Sequence, residues 1–200
     1  MKILILGSTL LTEVVVNFLK DSDFTLTGHV PSSNPYIPGN IELPVIQDMD
    51  INDHDIKLSI QYDKKVLDYH NSYNIHTGLL PDWGGRDILF HTLNNNETEQ
   101  GLTFHKMSKE FDQGPIISKI TYPVFKGDTQ VDLYQRQLDI IPSFALAGLN
   151  LLMKIEDLNE CVSHKPTMRR RKKDIPPEKM SEYSAAGKEL LNNFSKKILP

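Results

Sequence analysis

The run Lys2-Ile3-Leu4-Ile5-Leu6, stopped by Gly7-Ser8, restricts this chain more than any other feature. A strand that is apolar on both faces belongs inside a parallel sheet, where helices or loops cover both sides. Thr12 to Leu19 then reads as a helix, with Val14, Val15, Phe18 and Leu19 along one face. The alternation continues. Phe24 to Val30, Asp55 to Ile60, Tyr73 to Ile75, Gly101 to Lys106 and Ile116 to Val124 read as strands. Val66 to His70 and Ile88 to Leu93 read as short helices, and Thr129 to Met153 as a long amphipathic one capped at Asp128 or Thr129. Pro31 to Pro44 carries four prolines and Gly39, and is a loop. Strands interleaved with helices predict an α/β domain around a largely parallel sheet.

With 200 residues the chain suits one domain plus a short appendage. The expected division is a catalytic domain over 1–158 and a C-terminal extension over 159–200, built of a basic segment and a helix from Met180 to Leu199. The opening apolar run is too short to span a bilayer and lacks the marks of a signal peptide. The single cysteine, Cys161, excludes an intrachain disulfide and reads as an inert thiol. A cytoplasmic protein follows, with no membrane partner. The net charge of -4 argues against general nucleic-acid binding. The run Met168 to Lys173 reads either as solvated surface or as arginines that grip an anionic substrate.

Gly7-Ser8-Thr9-Leu10-Leu11-Thr12 holds one glycine where a dinucleotide-binding turn needs three, so that reading fails. The helix start could still meet an anion through its amides, or be a plain strand-to-helix turn.

The chemistry concentrates in Tyr73-Asn74-Ile75-His76-Thr77-Gly78-Leu79-Leu80-Pro81, Gly101-Leu102-Thr103-Phe104-His105 and Phe111-Asp112-Gln113-Gly114-Pro115-Ile116. Asn74 and His76 are two apart, so in a strand they share a face. Glycines and prolines follow at once, which puts that face at a loop mouth, where α/β sheets bind ligands. An amide and an imidazole together can hold a polarised carbonyl oxygen. Asp112, in a tight loop beside Gly114, could accept a proton. The histidines are not spaced as paired metal ligands, so no metal is expected.

These segments resemble the folate-dependent formyltransferases in order and spacing: Asn-x-His, Leu-Leu-Pro, Gly-x-Thr-x-His, then Asp-x-Gly-x-Ile. That family includes glycinamide ribonucleotide formyltransferase, methionyl-tRNA formyltransferase and the N-formyltransferases of nucleotide-linked amino sugars. The resemblance covers roughly residues 55–150 well and the first 30 loosely, and implies a Rossmann-like α/β fold. It also implies N10-formyltetrahydrofolate as donor and direct attack by a neutral amine without a covalent enzyme intermediate. By the same resemblance Asn74 and a cationic His76 stabilise the oxyanion, and Asp112 accepts the amine proton. The folate loops would be Leu79, Leu80, Pro81 and Glu110, Phe111, Gln113, Gly114, with Gln61, Tyr62 and Val66 in the same pocket. His105 is either a supporting histidine or a site residue. One departure is plain: Thr77-Gly78 stands where the family usually has Pro or Asn and then Ser.

The acceptor is read from weaker features. Pro123 to Thr129 and the chain length are similar to the glycinamide ribonucleotide enzyme. However, that enzyme has a glycine-rich phosphate loop after its first strand, where this chain has Leu6-Gly7-Ser8-Thr9-Leu10. There is no room for the C-terminal barrel of the methionyl-tRNA enzyme. Ser59-Ile60-Gln61-Tyr62 is similar to the sugar enzymes, which makes the expected acceptor an amino sugar on a nucleotide diphosphate. Tyr36, Tyr62 and Trp83 are candidates to stack on its base or sugar. The alternatives are the ribonucleotide enzyme of purine synthesis and an inactive folate-binding relative. A homodimer through residues after Pro166 is compatible with the sequence.

Overall fold

The computed structural model describes residues 1–46, 54–66, 68–155 and 169–195. Its elements are β1 (Lys2–Leu6), α1 (Leu10–Leu19), β2 (Thr25–Val30), β3 (Ile56–Ile60), β4 (Ser72–His76), β5 (Gly84–Gly85), α2 (Ile88–Asn94), β6 (Glu99–Lys106), β7 (Ile116–Pro123), α3 (Gln130–Leu152), β8 (Arg169–Arg170) and α4 (Met180–Ser195). Six strands form one sheet in the order β2-β1-β3-β4-β6-β7. The first four run parallel, while β6 and β7 add an antiparallel edge. This is the largely parallel α/β sheet that the alternation of strands and helices predicts. Among the described residues no helix is long and apolar enough to cross a membrane. Cys161, Met168 and the end of the expected last helix lie outside the described residues.

β1 sits between β2 and β3, and four of its five residues are buried. Ile3 and Ile5 face a large core built from α1, α3 and α4. Leu4 and Leu6 face the other way, onto Val66, Tyr62, Ile46 and Met107 from loops. The double-sided apolar run therefore has two different covers. Helix α1 starts two residues earlier than the apolar periodicity indicates. Thr9 caps it by accepting from the Thr12 amide, and Thr12 Oγ1 answers the Thr9 amide. Thr129 and Asp132 make the same reciprocal box at the start of α3. The last helix belongs to the same body: Leu190 and Phe194 are buried in the main core, and Phe194 lies against Tyr134.

The short helix expected over Val66 to His70 is not formed by its described residues. Local side-chain bonds hold an irregular path instead. Asp68 accepts from Lys57 Nζ at 2.7 Å and from the His70 amide at 2.9 Å. The Lys57 hydrogen bond is the main cause that holds the Asp68 carboxyl below the usual aspartate range. Lys57 is 2% exposed, so its ammonium is buried against this partner.

Two tests follow from the packing. In α3, a β-carbon on Gly148 would lie 2.6 Å from Phe104 Cδ2. Gly148→Val should cost roughly 1–3 kcal/mol through overpacking, read as a lower urea midpoint with an unchanged m-value. Asp68→Asn should cost about 3 kcal/mol at neutral pH by stranding a buried ammonium. The Asp68 contribution is fully present above its unfolded pKa of about 3.9 and is lost as pH falls through the lower folded value. The wild-type stability curve should therefore be steeper in acid than that of the variant. Parallel curves would remove the Lys57–Asp68 pair from the acid response.

Candidate active site

The parallel strands β1, β3 and β4 end together, and their carboxyl ends open on a cavity of about 470 Å³. That volume falls within the range of small-molecule sites. Thr9 lines it from beyond β1, Gln61 from beyond β3, and Asn74 and His76 from the end of β4. The ends of β1 and β3 approach closely: Gly7 has φ +136°, and a β-carbon there would lie 2.4 Å from the Ile60 carbonyl. Three non-glycine residues of the lining, Gln61, Asp87 and Asp112, have φ of 50°, 59° and 59°. Such left-handed positions are costly for side-chain-bearing residues and concentrate at functional sites.

Asn74 stands directly opposite His105 in the β4–β6 ladder. That register brings Asn74 Nδ2 to 3.1 Å from His105 Nε2. His105 Nδ1 lies 2.9 Å from the Lys106 carbonyl, which can only accept, so Nδ1 carries a proton. In the neutral ring Nε2 then accepts, and the Asn74 group facing it is the NH₂. One amide hydrogen of Asn74 is used and the other is left for the cavity. His105 therefore orients Asn74, although it also lines the cavity.

His76 is 7% exposed and both of its nitrogens meet protein groups. Nε2 donates to the Trp83 carbonyl at 2.7 Å, and Nδ1 lies 3.5 Å from Asp112 Oδ1. The second carboxylate oxygen of Asp112 accepts from the Gly85 amide at 2.9 Å. Gly78 makes room for this arrangement, since a β-carbon there would lie 2.5 Å from the Trp83 carbonyl and 3.0 Å from His76 Nε2. The departure at Gly78 thus bears directly on His76. A ring protonated at both nitrogens can serve the carbonyl and the carboxylate at once.

Gln61, Tyr62, Val66, Glu110, Phe111, Tyr36 and His105 line the same cavity as Asn74, His76 and Asp112. The remaining expected residues do not. Leu79 and Leu80 spend their amides on Gln100 Oε1 and Thr103 Oγ1, and the Leu80 carbonyl accepts from Lys119 Nζ. Pro81 follows a cis bond beyond this anchored pair. Gln113 lies outside the lining, and Gly114 is pressed so close to the Lys106 carbonyl that a β-carbon would sit 1.8 Å from it. The loop is structural there. Trp83 lies outside the lining, and the Arg170 guanidinium sits over its ring at 3.3 Å from the centroid. Within the basic run, Arg170 is buried on Trp83 and Arg171 pairs with Asp174.

The sequence reading missed the wall supplied by α3. Gln130, Tyr134 and Gln137 are at i, i+4 and i+7, on one helix face, and all three are buried and line the cavity. Polar residues at helical spacing on the buried face were the available signal. Gln130 Nε2, Gln137 Oε1 and Gln61 Oε1 are buried without a hydrogen-bond partner among the described residues. They are groups a ligand can satisfy. The start of α1 is partly occupied by the chain itself, although Thr9 lines the cavity. The Leu10 amide donates to the Ile37 carbonyl, Thr9 bridges to Pro38, and a β-carbon on Gly39 would lie 2.4 Å from the Thr9 carbonyl.

A family model described as formyl transferase matches residues 64–145. The methionyl-tRNA formyltransferase of Streptococcus uberis is 29% identical over 135 residues, covering 66% of this chain and 41% of that protein. The chain thus spans about two fifths of the length of this curated relative. Among solved structures, the sugar 3N-formyl transferase WlaRD, crystallised with dTDP and 5-N-formyl-THF, superposes with a TM-score of 0.72 at 23% identity, covering 88% of this chain and 71% of that one. The N-formyltransferase of Helicobacter canadensis, in complex with folinic acid and dTDP-3-aminofucose, gives 0.73 at 20% identity, covering 88% and 72%. At these identities the structural likeness is one of fold.

Proposed function

We propose that this chain, whose residues 64–145 match the formyl transferase family model, transfers the formyl group of N10-formyltetrahydrofolate to the primary amine of a nucleotide-linked amino sugar. The observation that carries the reading is the convergence of Asn74, His76 and Asp112 in one cavity, with His76 and Asp112 3.5 Å apart. The cavity fits the donor on its own terms: Gln61 brings an orphaned buried acceptor, while Tyr62, Val66 and Phe111 supply apolar surface.

The donor contributes an electrophilic formyl carbon. The amine nitrogen bonds to that carbon and the bond to N10 breaks; the amine gives up one proton and N10 gains one. Asn74 offers its second amide hydrogen to the negative charge that develops on the formyl oxygen. His76, held between the Trp83 carbonyl and Asp112, contributes positive charge beside it rather than a free N–H. Asp112 takes up the amine proton. Its other oxygen is fixed by the Gly85 amide, so the carboxylate keeps one oxygen toward His76. A preorganised donor of the Asn74 kind is worth ~3 kcal/mol of barrier.

The occupied start of α1 favours a sugar acceptor over glycinamide ribonucleotide, because helix amides already bonded to Ile37 and Thr9 cannot cradle a phosphate. The buried glutamines of α3 suit neutral hydroxyl or acylamino groups.

The reading is tested by incubating the protein with N10-formyltetrahydrofolate and a panel of amines that includes nucleotide-linked amino sugars and glycinamide ribonucleotide. An N-formylated amino sugar is the expected product. Absence of folate binding and of any product would sink the proposal. Asn74→Ala should lower turnover roughly 10²–10³-fold, and His76→Ala and Asp112→Asn by orders of magnitude, with unchanged circular dichroism. Near-normal turnover in any one of them removes that residue from the mechanism.

A further inference from the structure

The segment from Asp82 to Arg86 holds both members of the His76–Asp112 pair. The Trp83 carbonyl accepts from His76 Nε2, and the Gly85 amide donates to Asp112 Oδ2. The distance between the two side chains therefore depends on where these backbone groups sit. Inside the sheet domain the segment is tied through the Trp83 amide, which donates to the Leu79 carbonyl at 2.8 Å. β5 pairs with no strand of the main sheet, and its partner is β8 in the C-terminal extension.

Residue 170 clasps the segment in three ways. Its carbonyl accepts from the Arg86 amide at 2.8 Å. Its Nη1 donates to the Asp82 carbonyl at 2.6 Å, across 88 positions of sequence. Its guanidinium carbon lies over the Trp83 ring, 3.3 Å from the centroid, a place that suits a planar cation better than an ammonium. The fit is close, since Gly85 has φ +103° and a β-carbon there would lie 2.1 Å from the Arg170 carbonyl. Arg170 is 7% exposed, so the cation is taken out of water to make this clasp. The extension grips again one residue further on, where Tyr183 of α4 donates to Asp87 Oδ1 at 3.0 Å.

We infer that Arg170 is a positioning residue for the active site: by clamping Asp82–Arg86 it holds the Trp83 carbonyl on His76 and the Gly85 amide on Asp112. The C-terminal extension is thereby a working part of the site and not an appendage. For its effect on turnover this inference rests on the proposed formyltransferase reading; for the state of His76 it does not.

The test uses the full chain, with nitrogen-15 NMR of the His76 imidazole and donor kinetics measured on the same samples. In the wild type the Nε2 proton should exchange slowly with water, as a buried proton on a carbonyl does. Arg170→Met should speed that exchange and shift the His76 nitrogen resonances. Trp83→Leu, which keeps the carbonyl and removes the stacking surface, should do the same. The double variant should add little to either, because both break one clasp. Arg170→Lys should recover only part of the wild-type signal. kcat should fall roughly 10²-fold, the usual consequence of a misplacement of about 1 Å, with little change in KM for the donor. Lys173→Met, a change in a neighbouring exposed cation, should leave all of these as in the wild type. If Arg170→Met does not fold, Arg170→Lys and Trp83→Leu carry the same readouts. Wild-type His76 resonances in a folded clasp variant overturn the inference. If no amine is formylated even by the wild type while the His76 signals still respond to Arg170, the functional reading falls and the clasp stands.

Discussion

The site depends on β4 being shared between two ladders of opposite sense. On one side it runs parallel to β3, which ends at the same level and delivers Gln61 to the cavity. On the other it meets β6 antiparallel, and that register sets Asn74 against His105 and His76 against Thr103. A slip of one residue would turn Asn74 and His76 to the other face of the sheet. It would also part Asn74 from the histidine that orients its amide. Sheet register is thus the first element of preorganisation, and hydrogen bonds from side chains complete it.

Much of this was legible in the chain. The double-sided apolar run of β1 required cover on both faces. The spacing of Asn74 and His76, followed by turn residues, required a shared face at a loop mouth. Asp112 and its glycine pointed to a tight loop, and the residue has a left-handed backbone there. What was not legible has a common cause. Arg170 on Trp83, Trp83 on His76 and Gly85 on Asp112 are contacts between distant positions made by backbone groups or by residues with strong bland readings. A run of arginines and lysines looks like solvated surface, and only the fold reveals that one of them is buried. The Leu79–Leu80 pair illustrates a related point: its backbone amides meet Gln100 and Thr103 from β6, which no local pattern in the chain announces. Gln130 and Gln137 could have been found, since polar side chains on the buried face of an amphipathic helix carry a desolvation cost that needs a reason.

Glycine contributes to this site by omission. Gly78 and Gly85 stand where a β-carbon would strike the Trp83 carbonyl or the Arg170 carbonyl. Both lie in the loop that carries the anchors of His76 and Asp112. Thr77-Gly78 is also where the chain leaves the pattern of the family it resembles. The Trp83 carbonyl and Gly78 therefore belong together as one local solution for holding an imidazole.

The occupied start of α1 has an electrostatic consequence. A helix terminus carries a partial positive charge that can draw in an anion. Here the Leu10 and Thr12 amides are bonded to the chain's own oxygens, so that part of the contribution is spent internally. Besides His76, the described residues of the cavity lining include four cationic side chains, Lys64, Lys65, Arg86 and Lys109, and four acidic ones, Asp63, Asp87, Glu110 and Asp112. Their fields largely cancel at a distance beyond the Debye length. Ligands then arrive by unsteered diffusion, and selection takes place after entry, in how well hydrogen bonds are matched and how slowly the correct ligand leaves.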